Sequence, residues 1–249
     1  MISIERSGST AVMRLEHGKV NALDVEMCQA VPETLKRVFE EGYRAVVLTG
    51  RGATFSAGVD LFRILDGGPD YTDRLVATLS EALLALFRFP LPTVAAVNGH
   101  AIAGGAVLAC ACDYGLVADG PTRIGVSELT VGVPYPLSAL EIVRYATGSH
   151  AEEVIFTARN YSPAEARDRG FVNEVVPADE LLARALATAE ALGSVPTASY
   201  QATKHGLRGP LIDMVVREQR VFDAQIRRLW SSPEVTASIR GFVDRLRAG

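Results

Sequence analysis

Residues 89–112 contain no Lys, Arg, Asp or Glu, and a run of that length without charge has to be buried, either in lipid or in a protein core. Its content decides for the core. Pro90, Pro92, Asn98, Gly99, His100, Gly104 and Gly105 interrupt it, and such breakers fit a strand, a turn and a helix better than one membrane span. The segment reads as a buried strand over 93–97, a glycine-rich turn, and a wholly apolar interior helix over 103–112.

A buried helix and strand need a large surrounding fold, and 249 residues supply one. That length suits one large α/β domain or a compact core with a short appended subdomain. Strand-like runs open the chain at 2–5 and 11–15, followed by a helical pattern over 23–41 with Pro32 inside it. Residues 45–50 are nearly all apolar and rich in β-branched types, as in a strand covered on both faces. Leucines and alanines at helical spacing over 72–89 lead back to the strand at 93–97, and 114–118 is a third buried strand. This is a βαβ rhythm.

Beyond residue 120 helices dominate, at 137–147, 150–158, 163–169, 179–192, 197–207 and 212–230. Ser162, Pro163 and Glu165 form a capping box with proline at the first helical position. From about Val195 the pattern is an amphipathic subdomain that cannot bury its apolar residues alone.

A net charge of −4 and a pI near 5.6 exclude a generally basic surface for nucleic acid or an anionic membrane. An anionic ligand would need a local basic patch. Cys28, Cys110 and Cys112 are odd in number and form no CxxC pair, and residues 1–6 lack a leader-like apolar stretch. A reduced, cytoplasmic setting is the expectation. With 48% hydrophobic residues and a mean hydropathy of +0.17, the chain also points to a partner interface.

Two glycine-rich segments follow buried strands, where α/β folds place ligands. In Thr54-Phe55-Ser56-Ala57-Gly58-Val59-Asp60-Leu61, Gly58 lets the backbone approach a ligand at Val59, and Asp60 can cap a following helix. An ordinary strand-to-helix turn would look the same. In the segment from Asn98 to Val107, Gly104 opens the apolar helix, where unpaired N–H groups meet the positive end of the dipole and can donate to an oxyanion. Close helix packing is the plainer alternative. Neither segment is a GxxxxGK[ST] or GxGxxG phosphate loop, and no GxSxG elbow is present. His17, His100, His150 and His205 lack metal-site spacing, so no metal is expected.

Together the segments resemble the crotonase superfamily, the enoyl-CoA hydratase/isomerase family, over nearly the whole chain. The carriers are Val20-Asn21-Ala22-Leu23, Phe55 to Leu61, Asn98-Gly99 to Asp113, and Ile124 to Pro134, in the family's order and spacing. The resemblance implies an α/β, crotonase-like spiral of ββα units over 1–194, and a C-terminal helical subdomain over 195–249 that serves oligomerisation into a homotrimer or hexamer. It implies an acyl-CoA substrate, no cofactor beyond the coenzyme A moiety, and a place in fatty-acid metabolism. It further implies an oxyanion hole from the N–H groups of Val59 and Gly104, preorganised for the enolate.

Hydratases of this kind carry two glutamates, one three residues after the oxyanion-hole glycine and one at the position of Glu128. The first position here is Val107. Adding water needs that water held between two polar groups, and valine offers none, whereas one carboxylate suffices to move a proton from C2 to C4 of a 3-enoyl thioester. The family's isomerases likewise keep one glutamate, so Δ3-Δ2 isomerisation by Glu128 is the leading expectation. The alternatives are hydration with a weaker water site and non-catalytic acyl-CoA binding. Apolar neighbours should raise the pKa of Glu128; taken without its motif, it would be an exposed carboxylate at a strand end. Tyr135 either lines the acyl pocket or packs. For coenzyme A the resemblance points to Lys19, Val20, Ala57, Gly58, Asp60 and Leu61, with Arg63 and Lys204 as further candidate phosphate partners. Residues 61–70 read as a variable loop that shapes the pocket.

Overall fold

Two strands precede each of the first helices, and in three of these pairs the second strand leaves the sheet of the first. The computed structural model describes residues 1–248; residue 249, the last of the expected C-terminal subdomain, lies outside the described residues. The units are β1 (Ile2–Ser7), β2 (Thr10–Leu15) and α1 (Val25–Glu40); β3 (Ala45–Gly50), β4 (Thr54–Ser56) and α2 (Leu61–Phe87); β5 (Thr93–Val97), β6 (His100–Ile102) and α3 (Gly104–Ala111); and β7 (Tyr114–Ala118), β8 (Ile124–Gly125) and α4 (Glu128–Val131). The chain continues through α5 (Leu137–Thr147), α6 (Ala151–Thr157), α7 (Pro163–Asp168), β9 (Glu174–Val176), α8 (Leu181–Ser194), α9 (Thr197–Trp230) and α10 (Pro233–Ala248).

The larger sheet runs β1-β2-β3-β5-β7-β9 and is parallel beyond the β1–β2 hairpin. A smaller parallel sheet runs β4-β6-β8. Every residue of β3 and β5 is buried, as parallel strands covered on both faces require. Leu181, Ala185 and Ala189 of α8 cover one face, against Val12, Val47, Val94 and Leu116. On the other face α1, α2 and α3 enclose the main core, which also takes in Ile226, Trp230, Ile239 and Val243 from α9 and α10. The charge-free run resolves into β5, β6 and a fully buried α3. Among the described residues no helix is long and apolar enough to cross a membrane.

Three expectations are corrected. Residues 61–70 are helical: Asp60 caps α2 by accepting from the Arg63 N–H at 3.1 Å. The breakers there produce only a kink at Gly68 (φ 65, ψ −160), after which Pro69 restarts the helix from a position proline tolerates. The two helices expected over 197–207 and 212–230 are the single helix α9. Buried anchors on both sides of Gly209–Pro210, Lys204 and Arg208 before it and Val215 and Asp223 after it, outweigh the local cost of proline. Finally, residues 233–248, not resolved as a separate element in the sequence, form α10, and this helix reaches the site.

Candidate active site

The short strand β4 delivers the first element. Asn21, held at φ 50, donates from Nδ2 to the carbonyls of Thr54 at 2.9 Å and Phe55 at 3.2 Å, and Ala57 N–H donates to the Val20 carbonyl at 3.0 Å. The 20–23 segment is thereby laid along 54–59. Leu23 N–H then donates to Gly58 O at 2.8 Å, and Asp60 N–H to Leu23 O at 3.1 Å. This parallel bridge uses the groups on either side of Val59 and leaves the Val59 N–H on the opposite face. Among the described residues that N–H has no hydrogen-bond partner.

The second element is the start of α3. Ala103 sits at φ 51, ψ −125, a strained conformation for a residue with a side chain and one that clusters at functional sites. Its N–H is fixed to Gly125 O at 2.7 Å, and its carbonyl accepts from Ala106 and Val107. The next N–H, of Gly104, has no partner among the described residues, as expected of a first helical turn. Two close approaches bring it to Val59. A Cβ on Gly105 would lie 2.2 Å from Ser56 O, and one on Gly58 (φ +80) would lie 2.8 Å from Ile102 O and 3.1 Å from Gly104 N. Only glycine allows this contact.

The third element is Glu128, the first residue of α4. A cavity of about 220 Å³ is walled by Ala57, Val59 and Leu61 on one side, Ile102 and Ala103 at the start of α3, and Ser127, Glu128, Val131 and Val133 around α4. Phe242 and Leu246 of α10 close it. Glu128 is 8% exposed, and its Oε2 has no hydrogen-bond partner among the described residues. Burial pushes its carboxyl from 4.5 up to about 7, opposed by its own backbone N–H and by the Tyr135 side chain, a range suited to proton transfer near neutral pH. Tyr135 packs behind it and is absent from the cavity wall; its hydroxyl donates to Val126 O at 2.9 Å. Burial and the neighbouring Glu128 keep that phenol protonated. Glu128 is therefore neither exposed nor at a strand end.

Around this centre the sequence-derived candidates separate. Val20, Ala57 and Gly58 lie together through the contacts above, and Leu61 lines the cavity. Lys19 is exposed beside Val20 and makes no ion pair among the described residues. Asp60 is committed to capping α2. Arg63 is held by Asp24 at 2.7 Å and by Glu26. Lys204 is buried against Asp113 at 2.8 Å, in a cluster with Arg208 and Tyr200. The last two cations thus serve carboxylates within the fold and are not placed as free phosphate partners. Val107 is fully buried one turn along α3 and takes no part in the cavity wall.

The sequence reading missed Phe242 and Leu246. Their signal was legible: Pro233 at a helix start, then Ile239, Phe242, Val243 and Leu246 at helical spacing.

A spiral of ββα units in which two adjacent unpaired N–H groups, of Val59 and Gly104, lie beside a cavity walled by a buried carboxylate defines a crotonase-type α/β enzyme. The chain belongs to the enoyl-CoA hydratase/isomerase family, whose model matches residues 5–248. It is 35% identical over 208 residues to a putative enoyl-CoA hydratase of Thermus thermophilus, covering 82% of each chain. It is 28% identical to the mitochondrial enoyl-CoA delta isomerase 1 of Mus musculus, over 99% of this chain and 87% of that one. Among solved structures, the human mitochondrial delta3-delta2-enoyl-CoA isomerase superimposes with a TM-score of 0.95 at 27% identity, covering 99% of this chain and 98% of that one.

Proposed function

We propose that the protein acts on enoyl-CoA thioesters, and specifically that it converts 3-enoyl-CoA to 2-enoyl-CoA with Glu128 as its single acid/base. The observation that carries this reading is the pairing of a buried carboxylate, whose Oε2 has no hydrogen-bond partner among the described residues, with an apolar second position. Glu128 faces the cavity with a pKa near 7, while Val107, where a hydratase of this kind has its other glutamate, is enclosed by the core.

In the proposed reaction the thioester oxygen accepts hydrogen bonds from Val59 and Gly104 N–H. Glu128, ionised, removes a proton from C2; the C2–H electrons become a dienolate whose charge rests on that oxygen. The dienolate collapses by taking the same proton from Glu128 at C4, which leaves the double bond between C2 and C3 and restores the carboxylate. The two donors stabilise charge only as it develops, and one such donor is typically worth about 10²–10³ in rate. Lys19, Val20, Ala57, Gly58, Asp60 and Leu61 would hold the coenzyme A moiety, Asp60 by shaping the start of α2. No further cofactor is needed for this proton transfer. The apolar exposed side chains of α9, Leu207, Val216 and Val221, support assembly through residues 195–249 into a trimer or a hexamer; the reading further places the reaction in cytoplasmic fatty-acid metabolism.

Hydration of 2-enoyl-CoA is the second reading, favoured by the Thermus thermophilus relative. Incubating the pure protein with 3-enoyl-CoA and 2-enoyl-CoA of several chain lengths and identifying the products separates the two. The isomerase reading expects 2-enoyl-CoA from the 3-enoyl substrate and little 3-hydroxyacyl-CoA; rapid formation of the hydroxy product would reverse the assignment.

A further inference from the structure

Glu128 stands on a helix of four residues, too short to hold its own shape, since a single turn of helix is unstable without outside contacts. Its backbone closes on itself through Gly132 and Val133 N–H to the Glu128 carbonyl at 3.0 and 3.1 Å and through Gly132 N–H to the Leu129 carbonyl at 3.1 Å, but the carbonyls of Val131 and Pro134 need partners from elsewhere. They find them in the two C-terminal helices. Ser238 of α10 donates its hydroxyl to Val131 O at 2.6 Å. Trp230, at the end of α9 and only 2% exposed, donates Nε1–H to Pro134 O at 2.7 Å. Asp223 of α9 accepts the Leu137 N–H at 2.9 Å, and so caps the helix that follows.

These three bonds fall at residues 131, 134 and 137, on the connection between the glutamate and α5. The approach is tight. Gly132 is left-handed at φ 86, and a Cβ there would lie 2.7 Å from Ser238 Oγ.

We propose that the α9–α10 pair is the positioning device for the active-site carboxylate, with Ser238 and Trp230 as positioning residues that fix the C-terminal end of α4 and the connection that leaves it. The inference rests on the reading of Glu128 as the acid/base. It assigns the C-terminal helices a role in the reaction beyond packing, because α10 shuts the cavity through Phe242 and Leu246 while both helices hold the segment that carries the residue facing it. Asp223 also accepts from Ser80 of α2 at 3.0 Å, so its loss would disturb more than α4. Ser238 and Trp230 are the cleaner probes.

The test uses the full-length protein and compares Ser238→Ala, Trp230→Phe and Glu128→Gln with the wild type. For each, kcat and KM on 3-enoyl-CoA, the pH profile of kcat/KM, the affinity for a saturated acyl-CoA and the melting temperature are measured. Ser238→Ala is the mild change, and it decides alone if Trp230→Phe does not fold. Displacements well below the size of a side chain are costly in proton transfer. The expected result is a fall in kcat of about ten- to a hundred-fold for each positioning variant, with saturated acyl-CoA affinity within about threefold of wild type. The acid limb of the profile should also move below its wild-type position near 7, as a loosened α4 lets water reach the carboxylate. Lower melting temperatures with kcat and the acid limb unchanged would overturn the inference and leave the contacts structural. Wild-type turnover in Glu128→Gln would instead remove the acid/base reading on which it stands.

Discussion

Replacing Glu128 by glutamine should make the protein more stable as the pH rises, relative to wild type. The carboxyl is displaced from 4.5 to about 7 by burial. For an acid whose folded pKa lies above the unfolded one, the folded state prefers the proton. The unfavourable contribution is absent below about 4.5, grows as pH climbs, and is complete above about 7. That displacement corresponds to about 3 kcal/mol. Glutamine stays neutral, so its own desolvation is the same at every pH and drops out of the comparison. In a chain of 249 residues the difference amounts to about 6–12 °C in Tm. The assay is urea unfolding of both proteins between pH 4.5 and 8.5 at one fixed protomer concentration, because subunit association adds its own concentration dependence. The stability difference between variant and wild type should move toward the variant by about 3 kcal/mol across that window. A flat difference, or one that favours wild type at high pH, would show that the carboxylate is stabilised by a partner and refute the burial argument.

Gly58→Ala should fold with strain and lose turnover by about a hundredfold or more, because its Cβ would press on Ile102 O and shift the Val59 N–H; wild-type kcat in a folded variant would remove Val59 from the oxyanion site. Val107→Glu places a carboxylate in the core, at a cost of several kcal/mol unless water or a partner satisfies it. In a variant shown to be folded and to bind acyl-CoA, hydration of 2-enoyl-CoA should appear, and its absence would undo the explanation based on the missing second glutamate. Sedimentation at micromolar concentration should give a trimer or a multiple of it, and a monodisperse monomer would contradict the interface assigned to α9.

Local chemistry made much of the site readable. Gly58, Gly104 and Glu128 stand in segments whose order along the chain carries the family pattern, and the buried strands at 45–50 and 93–97 announced themselves by apolar β-branched runs. Long-range anchoring was not readable. Nothing near Gly209–Pro210 in sequence says that Lys204 and Arg208 will be drawn to Asp113, and this holds α9 continuous through its breakers. The same blindness hid the commitment of Arg63 to Asp24, because ion pairs across 39 residues leave no periodic trace. At 61–70 the breakers were visible but the Asp60 cap decided the outcome, and α10 carried an ordinary amphipathic pattern whose target, the cavity mouth, only the fold reveals.

The central claim is that one carboxylate, Glu128, moves the proton while Val59 and Gly104 hold the charge. It is tested most directly by following double-bond migration and C2 proton exchange in 3-enoyl-CoA with wild type and Glu128→Gln, beside a binding titration of the same thioester. Positioned acid/base groups contribute about 10²–10⁴ in rate. The account predicts a loss of that size in kcat for both migration and exchange, with affinity for the thioester nearly unchanged, because the two backbone donors remain. Migration at the wild-type rate in the glutamine variant would contradict it and assign the proton transfer to another group.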